Sequence, residues 1–142
     1  MRARTQIGKV VYTARIHTTG ARDHGVSRSS DGHLDVNLAK PSSVCFGTNA
    51  EQLLAAGWSA SFESAIARAA RKSQVALGEV TIDAEVDLHL ADSSDYFLSA
   101  RLVVSLPGVD RRVARDLVRQ SMELCPFSKA TQGNIEVTFK VL

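Results

Sequence analysis

The chain has 142 residues, a length that suits one domain over residues 1–142 with a sizeable buried core. A hydrophobic content of 44% and a charged content of 23% are typical of soluble globular proteins, and a formal net charge of +2 is too small to indicate nucleic-acid binding. No apolar run reaches the ~18 residues of a membrane span, and the basic start MRARTQIGKV lacks the apolar part of a secretion signal, so we expect a cytoplasmic protein.

The first part of the chain has the pattern of a small sheet. Residues 9–18 (KVVYTARIHT) are β-branched and partly alternating, which predicts a strand. A polar, glycine-flanked turn follows at 19–25 (TGARDHG). Two short strands, 25–30 and 33–38, then flank Asp31-Gly32, a dipeptide typical of β-hairpins. These segments predict a strand followed by a hairpin.

A long helix is expected from Thr48 to about Lys72, after the irregular segment 40–47 (KPSSVCFG). Thr48 and Glu51 have the spacing of a capping box. The helix is apolar nearly all round until Glu63 and rich in alanine and glycine. This pattern predicts a central, buried helix that another helix can approach closely.

The second half of the chain alternates strands with one more helix. Residues 80–90 and 96–106 alternate as two strands, 109–125 has apolar residues at helical spacing, and 134–142 alternates again. Pro126 is expected to end the second helix. The predicted order is β-β-β-α-β-β-α-β, an α+β fold with helices packed on antiparallel sheets.

The two cysteines, Cys45 and Cys125, form no disulfide framework and have no metal-ligand spacing, so we expect neither a metal nor a cofactor. Cys125 ends the second helix, where the helix dipole disfavours a thiolate. It is either an inert buried cysteine or a thiol that attacks an already oxidised partner. Cys45 precedes the long helix, whose positive end can favour a thiolate; its other interpretation is a small hydrophobic residue.

Three further residues are candidates for chemistry. Arg22 lies in the glycine-flanked turn, as a functional residue or as a solvated charge. Glu51 is explained by the capping box. Ser61 shares a helix face with Gly57 and Trp58, but no G-x-S-x-G motif supports a serine nucleophile. Taken alone, these residues predict only a soluble α+β domain with a buried helix.

Read together, three motifs resemble the organic hydroperoxide resistance protein family of the OsmC superfamily: TGARDHG (19–25), GTNAEQLLAAGWSASF (47–62) and CPFSKATQGNIEV (125–137). The resemblance implies an intertwined homodimer whose antiparallel sheets wrap around two central helices, with active sites at the subunit interface. It also implies a thiol-dependent peroxidase for oxidative-stress detoxification. Its substrates would be organic and fatty-acid hydroperoxides, and its reductant a lipoylated protein or another thiol.

The resemblance also assigns roles to residues. The family uses an attacking cysteine in the central helix, a resolving cysteine in the CPxS motif, an arginine from the early loop and a glutamate that holds it. Arg22, Glu51 and Cys125 match these positions, and the attacking position is Ser61. Because a serine hydroxyl is a poor nucleophile toward peroxide and has no sulfenic state, we expect little or no peroxidase activity through Ser61.

Three explanations of Ser61 remain open. One is an engineered cysteine-to-serine substitution. Another is a natural paralogue that binds a hydroperoxide or fatty-acid-like ligand without catalysis. A third is a divergent peroxidase in which Cys45 attacks, in a segment, SSVCF, that is usually glycine-rich in the family. A structural or regulatory dimer without a ligand is an alternative from another class.

Overall fold

The computed structural model describes residues 6–20 and 22–142, without the side chain of Arg22. The chain divides into two compact units, Met1–Asn49 and Ala50–Leu142. The single domain expected over residues 1–142 stays a prediction. In the described part of the chain, no helix is long and apolar enough to cross a membrane.

The first unit is built on a three-stranded antiparallel sheet in the order β1-β2-β3. The strands are β1 (Ile16–Thr19), β2 (Gly25–Ser29) and β3 (Asp35–Leu38), and a short 3-10 helix, Arg22–His24, joins the first two. The expected hairpin around Asp31-Gly32 is confirmed, because β2 and β3 pair from Gly25↔Leu38 to Arg28↔Asp35.

The hairpin turn depends on both of its central residues. The Asp31 carboxylate accepts hydrogen bonds from the Ser29 hydroxyl (2.6 Å) and the His33 backbone N–H (3.0 Å). Gly32 has a φ of 76°, a left-handed conformation that favours glycine. Local side-chain bonding and one glycine therefore produce the turn that the dipeptide predicted.

The strand expected at 9–18 is shorter in the structure. β1 pairs with β2 only from Ile16↔Ser29 to Thr19↔Val26, and residues 9–15 are irregular. Val10 and Val11 are 82% and 85% exposed. β-branched residues favour an extended backbone, but a strand also needs a neighbour for its hydrogen bonds, and the described ladder ends at Ile16.

The end of the first unit returns to the sheet. The Thr48 N–H donates to the Asn37 carbonyl (2.8 Å), and the Thr48 carbonyl accepts from the Ala39 N–H (3.0 Å). A Cβ at Gly47 would lie 2.9 Å from the Ala39 Cβ, so this close approach requires glycine. The long helix begins at Ala50, two residues after the expected cap at Thr48.

The second unit contains three helices and a three-stranded sheet. Its elements are α1 (Ala50–Lys72), β4 (Thr81–Leu90), β5 (Tyr96–Ser105), α2 (Arg111–Leu124), α3 (Pro126–Thr131) and β6 (Glu136–Val141). α3 is absent from the predicted order. Pro126 ends α2 as expected, but it also begins α3, because proline suits the first turn of a helix.

The sheet of the second unit is mixed, in the order β4-β5-β6. β4 and β5 form an antiparallel hairpin from Thr81↔Ser105 to Leu90↔Tyr96, whereas β5 and β6 run parallel from Ser99↔Glu136 to Val104↔Val141. The expectation of purely antiparallel sheets is therefore wrong for β6. After β5, the helices α2 and α3 carry the chain back to the end of the sheet where β5 begins. β6 starts from that end and therefore runs parallel to β5.

The core of the second unit lies between one face of the sheet and the helices. The largest fully buried side chains come from α1, β5, α2 and the α2–α3 junction: Trp58, Phe62, Ile66, Leu102, Val104, Leu117 and Cys125. The buried side chains of α1 lie on one face between Trp58 and Ala70, whereas Ala56 and Ala60 on another face are exposed. Within one chain α1 is thus half-covered, and the wrapping of sheets around two central helices stays a prediction.

Candidate functional site where three helices meet

Ser61 and Cys125 lie side by side in the second unit. The Cys125 Sγ is 3.5 Å from the Ser61 Oγ and donates a hydrogen bond to it. Cys125 is fully buried, and Ser61 is half-buried. The two positions named by the family resemblance as attacking and resolving sites are therefore in contact, although 64 residues separate them in sequence.

Cys125 is held at the junction of two helices. Its N–H donates to the Ser121 carbonyl (2.8 Å) at the end of α2, and its own carbonyl accepts from the Lys129 N–H (3.0 Å) in α3. Both bonds involve the backbone, so the position of the thiol does not depend on a flexible loop. Cys125 lies where α2 ends and α3 begins. The dipole of α2 alone therefore does not decide whether a Cys125 thiolate is disfavoured.

α1 packs against α3 through residues one turn from Ser61. The Trp58 Nε1–H donates to the Ser128 Oγ (3.2 Å), and both side chains are buried. Phe127 of α3 lies against Gly57 of α1, where a Cβ would make an ordinary van der Waals contact of 3.4 Å with the ring. This packing sets the distance between Ser61 and the chain around Cys125.

The other serines of the same segment bond to their own helix. The Ser59 hydroxyl donates to the Ala56 carbonyl (3.1 Å), and the Ser64 hydroxyl donates to the Ala60 carbonyl (3.2 Å). This is ordinary back-bonding of a helical serine. The contact of Ser61 with a thiol distinguishes it from both.

Glu51 lies at the start of α1, and Arg22 belongs to the first unit. Glu51 is half-buried in the first turn of α1. Ten residues of helix separate it from Ser61, which corresponds to about 15 Å along the axis. Arg22 lies in the 3-10 helix of the first unit, and its side chain is outside the described residues. The roles of both residues stay predictions.

Cys45 lies in the loop between β3 and Thr48, in the first unit. It is half-buried, and its N–H donates to the Ser43 Oγ (3.1 Å). Its neighbours Val44 and Phe46 are 105% and 96% exposed. The attacking role suggested for Cys45 stays a prediction.

A cavity of about 290 Å³ adjoins the contact between α1 and α3. Trp58 and Ser128 form part of its wall, and Met122, Val137 and Phe139 give it an apolar lining. The Phe139 ring also packs against Phe62 in the core, with 5.0 Å between ring centroids. The cavity suits a small molecule that has an apolar part and a polar part.

The polar side of this cavity includes Arg119. Its guanidinium donates to the Asp116 carboxylate, and this hydrogen bond is the main cause that lowers the pKa of Asp116; a second bond from Gln120 acts in the same direction. Within the described residues, no group of three or more His, Cys, Asp and Glu side chains is placed to hold a metal ion.

Two supporting residues were not identified from the sequence. The sequence predicts that Trp58 shares a helix face with Ser61, but it does not indicate the partner of the indole N–H. Ser128 is the serine of the CPFS motif, and its bond to Trp58 follows only from the packing of α3 on α1. The CPFS motif is the feature of the sequence that points to Ser128, because its proline begins the helix that carries this serine.

Comparisons with known proteins show the family of the chain. The family model of OsmC-like protein matches residues 39–140. The organic hydroperoxide resistance protein of Xanthomonas axonopodis pv. citri is 38% identical over 135 residues, covering 92% of this chain and 94% of that protein. The OhrB protein of Bacillus subtilis is 35% identical over 136 residues, covering 92% and 98%.

Solved structures show the same fold. The crystal structure of Bacillus subtilis OhrB superposes with a TM-score of 0.88 at 34% identity, covering 94% of this chain and all of that one. A Vibrio cholerae structure, described as a putative organic hydroperoxide resistance protein with captopril bound in one of the active sites, gives 0.88 at 32% identity, covering 97% and 96%. The chain therefore belongs to the OsmC-like family, among the organic hydroperoxide resistance proteins.

Proposed function

We propose that this protein binds organic hydroperoxides at the Ser61–Cys125 pair and, with serine at position 61, reduces them slowly or not at all. The observation that carries the proposal is the 3.5 Å between the Ser61 Oγ and the Cys125 Sγ. A sulfur in place of that oxygen would need to move by only about 1.5 Å to form a disulfide of about 2.05 Å with Cys125.

The chemistry implied by the family requires sulfur at position 61. A thiolate attacks the outer peroxide oxygen, the O–O bond breaks, and the alkoxide leaves and takes up a proton to become an alcohol. The sulfur, now a sulfenic acid, condenses with the Cys125 thiol to form a disulfide and water. A dithiol, such as the lipoyl group of the expected reductant, then returns the disulfide to two thiols. A serine hydroxyl has no sulfenic state and cannot enter this cycle.

As the resemblance implies, we assign Arg22 to the peroxide and Glu51 to holding Arg22. The ~15 Å of helix between Glu51 and Ser61 favours a site that combines residues of two chains. We therefore include a homodimer in the proposal, with Glu51 of one copy near Ser61 of the other. The cytoplasmic location stays a prediction.

Exposed apolar residues favour the same dimer. At the end of the β4–β5 hairpin, Leu88 and Leu90 continue the apolar side of β4 but are 45% and 62% exposed. Tyr96, which pairs with Leu90, is 68% exposed. An apolar face that continues the core without cover is characteristic of a surface that contacts another protein.

Ligand binding without turnover is the second candidate function, and the cavity beside Trp58 favours it. Its volume of about 290 Å³ and its apolar lining suit a short alkyl or aryl group. The proposals differ in one respect: the first requires that sulfur at position 61 restore catalysis, and the second requires only saturable binding. The residue encoded at position 61 in the unmodified gene distinguishes an engineered serine from a natural one.

The substitution Ser61→Cys tests the proposal. We expect it to raise cumene hydroperoxide reduction, with dihydrolipoamide as reductant, by about 10²-fold or more, since a thiolate replaces a hydroxyl. Ser59→Cys is the matched control, because Ser59 lies on the same helix but bonds to the Ala56 carbonyl. Calorimetric titration of the unaltered chain with the hydroperoxide should give a saturable signal.

The outcomes separate the alternatives. Turnover in Ser61→Cys that disappears when Cys125→Ser is added supports the peroxidase site. An inactive Ser61→Cys variant that still binds the hydroperoxide supports the non-catalytic binder. Absence of both turnover and binding contradicts the two functions and leaves the structural or regulatory dimer.

A further inference from the structure

Four arginines lie along α2, at positions 111, 112, 115 and 119. Within the described chain, Arg119 is the member of this set that forms an ion pair, with Asp116. Arg112 and Arg115 are exposed and line the same groove as Arg119. One side of the helix therefore presents guanidinium groups that are available to an anionic partner.

The groove has an apolar floor between these charges. It encloses about 610 Å³ between α2 and the chain that follows α1. Leu117, which is 1% exposed, and the partly buried Val75 lie at its bottom, and Val113 is 36% exposed beside them. A shallow apolar strip edged by arginines matches the usual composition of a protein-binding surface, in which arginine is enriched.

The stability of α2 does not account for the two arginines at its start. Arg111 and Arg112 occupy the first turn, where the positive end of the helix dipole disfavours cations. Asp110 caps the helix by accepting from the N–H groups of Arg112 (2.9 Å) and Val113 (3.3 Å). The cap satisfies the backbone, whereas the two guanidinium groups add positive charge where the helix gains nothing from it.

We propose that this groove docks a partner protein through an acidic segment that carries an apolar side chain. Carboxylates of the segment would pair with Arg112 and Arg115, and its apolar side chain would cover Val113. The apolar floor favours a protein over a nucleic acid, whose backbone presents charged phosphates. Arg112 and Cys125 are separated by about 20 Å along α2, whereas Arg119 lines both this groove and the cavity beside Trp58.

The test uses a fluorescein-labelled peptide in which glutamates flank a central leucine pair, and fluorescence anisotropy with the full chain. We expect saturable binding at about 0.1 M NaCl that weakens severalfold at about 1 M, where the Debye length falls from about 10 Å to about 3 Å. The double substitution Arg112→Glu/Arg115→Glu should weaken binding by about tenfold or more. The matched control is Lys129→Glu/Lys140→Glu, which changes the net charge equally at two exposed positions outside the groove and should change affinity less than about twofold.

A third variant separates a protein ligand from other polyanions. Val113→Asn should weaken the peptide by about threefold, because it removes apolar contact, and leave binding of a 20-base-pair DNA duplex unchanged. Circular dichroism confirms that each variant is folded. The proposal is overturned by lack of saturable peptide binding, by equal losses in the groove and control variants, or by tighter binding of the DNA duplex or of phosphatidylserine vesicles than of the peptide.

Discussion

The two cysteines of this chain have opposite surroundings. Cys125 is fully buried, fixed by backbone hydrogen bonds at the α2–α3 junction, and in contact with Ser61. Cys45 is half-buried in a loop, between Val44 and Phe46, whose side chains are almost wholly exposed. The same side chain is thus part of a rigid core in one region and part of a solvent-facing segment in the other.

This difference shows what each thiol is suited to. A buried thiol reacts only with a group that is brought to it, and the position next to it is Ser61. An accessible thiol meets oxidants and alkylating agents directly. Cys125 therefore suits the resolving role implied by the family. A reactive role for Cys45 stays a hypothesis, because its loop faces solvent.

The largest expected effect is on thiol alkylation. In the unaltered chain we expect iodoacetamide to modify Cys45 about 10²-fold or more faster than Cys125, because a buried thiol must await local opening. Mass spectrometry of peptides taken at successive times measures both rates. Equal rates would contradict the rigid burial of Cys125.

The variant Cys45→Ala supplies the control for that experiment and also tests catalysis. It should remove the fast phase of alkylation and leave the slow phase. If Cys45 were the attacking thiol, any residual hydroperoxide turnover would disappear with it. Unchanged turnover would exclude the Cys45 mechanism.

A smaller effect is expected on folding stability. Trp58→Phe removes the indole N–H that donates to the buried Ser128 hydroxyl, and we expect a loss of about 1–3 kcal/mol in the free energy of unfolding, measured with urea. Phe46→Ala is a larger change, the removal of a whole aromatic side chain, but at a position that is 96% exposed, and it should cost under about 0.5 kcal/mol. Similar losses in the two variants would contradict the contrast between the regions.

The smallest effect concerns pH in the first unit. The Lys40 N–H donates to the Asp23 carboxylate (2.7 Å), and this bond is the main cause that lowers the pKa of Asp23 below its ordinary value of 3.8. Folding favours the ionised form, so the bond stabilises the start of the Cys45 loop above that pH and is lost as the pH falls through the lowered pKa. NMR should show the Lys40 amide titrating with a midpoint below 3.8, and Asp23→Asn should abolish the transition. A midpoint above 3.8 would contradict the effect.

Local patterns predicted most of the secondary structure. The alternation at 80–90 and 96–106 corresponds closely to β4 and β5, and the Asp31-Gly32 turn joins β2 and β3 as expected. Such signals are readable because side-chain periodicity and turn chemistry involve residues close together in sequence. The strand at 9–18 is shorter than expected because pairing, unlike propensity, depends on a neighbour elsewhere in the chain.

The candidate site was predictable in part. The motifs identified the family, and the comparisons confirm it. They also predict that Ser61 departs from the chemistry of the family, which stays a prediction. They did not reveal the Trp58–Ser128 bond or the second helix start at Cys125, since both follow from the packing of α3 on α1.

By itself, the sequence determined the family and most of the helical and extended segments, and it predicts that Ser61 occupies the attacking position of the family. Only the tertiary structure decided that β6 runs parallel to β5 and that the Ser61 Oγ lies 3.5 Å from the Cys125 Sγ. The reason is physical: periodicity reports which face of an element is buried, whereas contacts between residues 64 positions apart depend on how whole helices and strands pack.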